Sequence, residues 1–301
     1  MKVHYHPTGW SSFVRTSLPP IRSRLCRGTL ALASLALLAP SPSRAQATSA
    51  PADTAGGTRG RFFTKKDAEL GLLFAVGTVA MFPLDRRIAL DMQGSSLRSN
   101  GFVKRTADVF RVTAIPGSTI IGGSLYVVGR LSRSSRMAEL GLHGTEALLV
   151  GQAFGSLTKG MLGRARPYQV ADSNAHDFEF LRGFRKGNDY SSLPSGHAIA
   201  AFAAASAVTA ETSRWWPQST PYVGTVMYGG AVMVALERLY NDKHWASDVM
   251  LAAGIGTFSG LKVVKFNHDH PGNPVDRVLL AASIVPTANG TALAWSITPA
   301  W

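Results

Sequence analysis

The chain has 301 residues, room for one large domain or two small ones, and a single cysteine, which excludes a disulfide-stapled scaffold. An apolar share of 46% is ordinary for a globular protein and low for a bundle made entirely of long lipid-facing spans. The formal charge of +13 suits an anionic substrate or membrane surface, while no stacking motif or recognition pattern points to nucleic acid.

The charge is unevenly placed. Residues 1–45 hold six basic side chains (Lys2, Arg15, Arg22, Arg24, Arg27, Arg44) and no acidic ones. Arg22, Arg24 and Arg27 precede the apolar run 30–39, and small residues follow at Ser43-Arg44-Ala45. That order predicts an export signal over 1–45, with an apolar run too short to cross a membrane comfortably. Cys26 falls inside this segment, so the exported chain would carry no thiol. Residues 46–62 read as a flexible polar linker, 63–268 as a helical domain and 269–301 as a C-terminal tail.

Within the domain the apolar patterning predicts six helical segments, at roughly 66–84, 106–129, 136–163, 197–212, 221–240 and 245–264. Polar residues sit inside two of them: Arg111 in the second, His143 and Glu146 in the third. In the tail, 278–286 and 291–298 read as two short strands about the turn signal Asn289-Gly290, with irregular coil as the alternative.

Chemistry concentrates at three helix ends. In "KGMLGRARP", 159–167, Lys159 and Arg166 are seven apart, which places them on one face if the helix persists; Pro167 would end it. Two such cations suit a phosphate-like dianion. In "SSLPSGHAIAAF", 191–202, Ser195 is a helix N-cap, Gly196 permits close approach of an anion to the backbone, and His197 is a titratable group beside the positive helix end. In "ERLYNDKHWASD", 237–248, Arg238 ends one helix, and His244 and Asp248 are spaced i, i+4, so a carboxylate can fix the imidazole tautomer from one helix face. Taken singly, each stretch is also what a solvated helix end or an ordinary cap looks like. Asp242 has a turn-like context and stays outside the site.

Lys-x6-Arg-Pro, then Pro-Ser-Gly-His, then Arg-x5-His-x3-Asp, in this order, is a specific pattern. It resembles the type 2 phosphatidic acid phosphatase/haloperoxidase superfamily over about residues 66–264. One departure is visible: the third motif usually opens Ser-Arg and here opens Glu237-Arg238. The resemblance implies an all-α six-helix bundle, to which the tail adds its hairpin, and a metal-independent phosphatase with no cofactor. Its substrate would be a phosphate mono- or diphosphate ester, lipid-borne or small. Lys159, Arg166, Ser195, Gly196 and Arg238 would hold the phosphoryl oxygens. His244 would attack phosphorus, Asp248 would orient it, and His197 would protonate the leaving alcohol. The alternatives are a vanadate-dependent haloperoxidase and a non-catalytic phosphate-binding scaffold of the same fold. Membrane members have six spans with the site on the outer face. A cleaved signal conflicts with six spans by parity, so the expectation is an exported, periplasmic-side protein, soluble or membrane-associated.

Overall fold

In the computed structural model, residues 62–170 and 174–280 are described in full, and 282–287 and 290–295 as backbone. The expected export signal, and all of the linker but Phe62, lie outside the described residues. Helix α1 (Lys65–Met81) starts at a capping box in which Thr64 and Asp67 satisfy each other's backbone amides. Short helices α2 (Asp85–Met92) and α3 (Ser95–Arg98) follow. Asn100 then caps α4 (Gly101–Val112), which runs through a π turn at Thr113–Gly117 into α5 (Ser118–Leu131). The π turn contains Pro116, whose missing amide and ring perturb the helical ladder locally. Next come α6 (Ser135–Leu162), α7 (Arg182–Lys186), α8 (Gly196–Trp215), α9 (Thr220–Tyr240), α10 (Ala246–Asp269) and α11 (Pro274–Leu279).

The six predicted segments are all helical. The second begins earlier than expected, at Gly101, and the short helices α2, α3, α7 and α11 were not anticipated. The tail forms the antiparallel hairpin β1 (Ala282–Thr287) and β2 (Gly290–Trp295), in register from Ala282↔Trp295 to Thr287↔Gly290. Residues 278 and 279 are helical instead of strand, because Asn273 caps α11 and Pro274 opens it.

Helix α8 is the axis of the bundle, packed against α6, α9 and α10. Its alanine-rich face lets neighbours come close: Ala198, Ala200, Ala203, Ala205 and Ala207 are fully buried. A Cβ on Gly256 of α10 would stand 2.5 Å from the Ile199 carbonyl oxygen, and one on Gly155 of α6 would stand 2.4 Å from Ile199 Cδ1. Backbone contact along α8 brings the ends of α6, α9 and α10 to its N-terminus, where the sequence motifs lie.

The exterior is strongly apolar. Leu72, Val76 and Val79 of α1, Val109 and Val112 of α4, Ile120 and Ile121 of α5, and Phe154 of α6 are all exposed. Three stretches, Lys65–Met92, Gly101–Leu131 and Ala246–Asp269, are long and apolar enough to cross a membrane. A monomer in water does not normally display this much contiguous apolar surface. Of the two arrangements the sequence leaves open, membrane association is the one this surface supports.

Candidate active site

All eight predicted site residues converge at the N-terminal end of α8. Two of the geometric reasons given by the sequence need correction. Lys159 lies in the last turn of α6, but Gly163 ends that helix in the left-handed region, at φ 54°. Arg166 therefore follows in extended backbone, not on the same helix face, and Pro167 opens a 3-10 turn instead of terminating α6. Likewise α10 begins at Ala246, so His244 precedes the helix that carries Asp248.

Ser195 is the N-cap of α8, its hydroxyl oxygen accepting the Ala198 amide at 3.4 Å. A Cβ on Gly196 would fall 2.9 Å from Lys159 Nζ. A side chain at this position would push the Lys159 ammonium back from the helix end. Gln152 of α6 fixes the same residue by donating to the Gly196 carbonyl at 2.7 Å. The Arg166 guanidinium is buried and aimed by Asn188, donating to its backbone oxygen at 2.7 Å and to Oδ1 at 2.6 Å. Arg238, in the last turn of α9, is also buried; its Nε lacks a partner among the described residues, a donor that an anionic oxygen would satisfy. Glu237 does not enter the cradle squarely. It accepts from Asn241 at 2.7 Å, lies 3.3 Å from Arg238, and burial pushes its carboxyl upward.

His244 is buried, and its Nδ1–H donates to the Ser192 carbonyl at 2.7 Å. That bond fixes the tautomer and leaves Nε2 with its lone pair. Asp248 is 3.6 Å from Nδ1, beyond hydrogen-bond reach. The expected direct carboxylate–imidazole bond is thus replaced by a relay: Asp248 accepts from Ser192 Oγ at 2.5 Å, and the Ser192 carbonyl holds the ring. Asp248 also accepts from the Trp245 amide at 2.8 Å and from Arg164 Nη1 at 2.5 Å.

Sequence reading missed Arg164, although it lies inside the quoted "KGMLGRARP". Its guanidinium is fully buried, bridges Asp248 and Asp85 (2.6 Å), and donates to Ser247 and to the Ala175 carbonyl. Asp85 in turn accepts the Ser247 amide at 2.8 Å. This network ties α2 and the loop after α6 to the first turn of α10, and so sets the position of His244. Asp85 had no motif to announce it.

Electrostatically the site is a cation-rich pocket with neutral imidazoles. Burial, then the charges of Arg238, Lys159, Arg166 and Arg111, hold His197 at about 4. Burial holds His244 at about 3; Asp248 opposes this, and Arg166 and Lys159 add to it. Burial and the neighbouring Arg166 and Arg238 bring Lys159 down to about 8, with Asp248 opposing. Arg111, at the end of α4, is a further cation acting on this pocket that no motif contained.

Residues 142–271 match the family model described as the PAP2 superfamily. An 87-residue stretch is 33% identical to the lipid A 1-phosphatase of Porphyromonas gingivalis, covering 29% of this chain and 19% of that protein. The chain thus spans about a fifth of the length of that curated relative. A solved phosphatidylglycerolphosphate phosphatase of transmembrane PAP2 type from Bacillus subtilis overlays 68% of this chain and 97% of its own, at 18% identity and a TM-score of 0.49. The stretch that matches the PAP2 superfamily model, residues 142–271, contains all eight residues of the pocket.

Proposed function

We propose that the chain is a phosphoric ester hydrolase that removes phosphate from a lipid phosphate through a phosphohistidine on His244, without a metal in the reaction. One observation carries this reading: three cations and two neutral histidines, drawn from three helices and the loops between them, gather at one helix N-terminus. Lys159, Arg166, Arg238 and the first amides of α8 offset the charge of a phosphoryl group and the charge that develops on its equatorial oxygens. The Ser195 hydroxyl, whose oxygen already accepts an amide, keeps its proton for a phosphoryl oxygen.

His244 Nε2 attacks phosphorus as the ester P–O bond breaks, and His197 gives its proton to the leaving alkoxide. Water then attacks the phosphohistidine, His197 takes a proton back, and the P–N bond breaks to release phosphate. His197 at about 4 is a poor proton carrier at neutral pH until the site fills. A bound phosphoryl dianion offsets the surrounding cations and raises His197 into its charged, donating form. Substrate binding therefore arms the acid.

The apolar exterior supports a lipid-borne ester, and the matched relative is named for one. The basic, apolar N-terminal segment supports a site on the exported side. The test is release of phosphate by membranes and by soluble fractions, with chelator present, from a lipid phosphate monoester in mixed micelles and from an aryl phosphate. Activity in membranes that resists chelator and vanishes in His244→Ala is expected. Activity that survives His244→Ala, or that chelator abolishes well below the melting temperature, overturns the mechanism. Halide oxidation supported by vanadate would replace it with a peroxidase.

A further inference from the structure

The end of the bundle opposite the pocket holds a second buried polar cluster that phosphate chemistry does not use. Glu211, fully buried on α8, lies fourteen residues beyond His197, about 21 Å along the helix. Its two carboxylate oxygens are addressed separately. Oε1 meets His143 Nδ1 of α6 at 2.6 Å, and Oε2 meets His268 Nε2 of α10 at 2.8 Å. One donor atom from each of the three residues lies within 4.8 Å of the other two.

We propose that His143, Glu211 and His268 form a structural site for a divalent first-row transition ion such as Zn²⁺. The donor set is right for such an ion: two imidazole nitrogens and a carboxylate, from three different helices, in a buried place. Spacing of this kind needs only a small outward shift to surround an ion with bonds near 2 Å. A second observation points the same way. The other ring nitrogen of His143, Nε2, is buried and forms an ion pair with Asp276 Oδ1 of α11 at 3.4 Å, with no closer hydrogen-bond partner for either atom among the described residues. A ligating histidine characteristically offers its remaining N–H to an outer carboxylate, and Asp276 stands where that carboxylate belongs. On binding, the ion takes the place of the protons now lying between each imidazole and Glu211; each ligating ring keeps one proton on its other nitrogen, and any surplus proton leaves to solvent. The ion would pin α6, α8 and α10 together, with α11 held behind them. The inference stands independently of the phosphatase reading, since no ligand is shared.

The full chain, purified in detergent without a polyhistidine tag, is stripped with chelator, dialysed and titrated with Zn²⁺ alone at about pH 8. Elemental analysis should give close to one Zn²⁺ per chain. Melting should rise by about 5–10 °C with Zn²⁺ at a hundred times its dissociation constant. Co²⁺ in its place should give the visible bands of a low-coordinate site. His268→Ala should abolish all three signals, Asp276→Asn should weaken binding by roughly 10–100-fold, and His176→Ala, an exposed histidine, should change nothing. If His268→Ala does not fold, His268→Gln replaces it. Wild-type protein that binds no more Zn²⁺ than the His268 variant, with no rise in melting temperature, overturns the proposal and leaves the cluster as a buried imidazolium among carboxylates.

Discussion

The two ends of the bundle use the same helices and the same residue types to opposite effect. Both bury histidines, and at both ends burial alone would drive them neutral. At the α8 N-terminus the neighbours are Lys159, Arg166 and Arg238, which reinforce burial, so His197 falls to about 4 and His244 to about 3. At the other end burial also lowers His143, but Asp276 and Glu211 outweigh it and raise it to about 9. The first end is short of negative charge and the second is short of positive charge. The fold holds each unbalanced cluster in place by backbone-close packing along α8, and the imbalance states the ligand each would take: a phosphoryl anion at one end, a cation at the other.

The comparison breaks most completely at His244. His244→Ala should lower kcat by about 10⁴-fold or more, the scale seen when a nucleophile is removed from a preorganised site. Initial-rate assays on a lipid phosphate check this, and mass spectrometry of base-stable, acid-labile phosphoprotein should find the modification in wild type alone. If the variant retains a tenth of the activity, the nucleophile is elsewhere.

Next in size is Arg164, which belongs to neither ligand site but makes the catalytic end rigid. Its removal leaves Asp85 and Asp248 as buried carboxylates without their common cation, a loss of about 3–5 kcal/mol. Arg164→Met should lower the melting temperature by many degrees in detergent. The paired variant Arg164→Met/Asp85→Asn, which removes one stranded charge, should recover part of it. A melting temperature equal to wild type would show that the network is not structural.

Arg164 also shows how far the sequence could be read. The three motifs were legible because each is short and local, and their order was specific. Arg164 lay in plain view yet carried no signal, since its partners Asp85 and Asp248 are 79 and 84 positions away. Helix-face arguments failed where a cap intervened. Gly163 turns the chain before Arg166, and α10 starts only after His244. The pocket still assembles because it is built from helix ends, where spacing along one helix counts for less than which ends the bundle brings together. The hairpin was legible from its turn residues. Helices of four to eight residues were not, because so short a segment has no periodicity to show. His143 was visible as a polar interruption, but its grouping with Glu211 and His268 exists only in three dimensions.

His197 gives a smaller and more discriminating effect. His197→Asn should cost about 10²–10³ in kcat on a lipid phosphate, the range of general acid catalysis. The loss should shrink sharply on an aryl phosphate, whose leaving group needs no proton. Equal losses on both substrates would assign His197 to binding instead of proton transfer.

The finest test moves only a charge. In the free enzyme, His244 must be neutral and His197 protonated, so kcat/KM should rise through about pH 3 and fall above about pH 4. Lys159 adds a further fall above about pH 8, where it loses its charge. For kcat the basic limb should lie at higher pH, because the bound dianion raises His197. Arg111 pushes His197 the other way from outside the phosphate cradle, on an exposed side chain paired only loosely with Asp108 at 3.8 Å. Arg111→Met should therefore let His197 rise and shift the basic limb of kcat/KM to higher pH, by less than about one unit given solvent screening. The limb of kcat should move less, since the bound phosphate already offsets the surrounding cations. A limb that stays fixed in kcat/KM, or moves to lower pH, would mean that the cations around α8 do not control His197. Burial alone would then hold His197 neutral, and only the carboxylates at the far end would set the two ends apart.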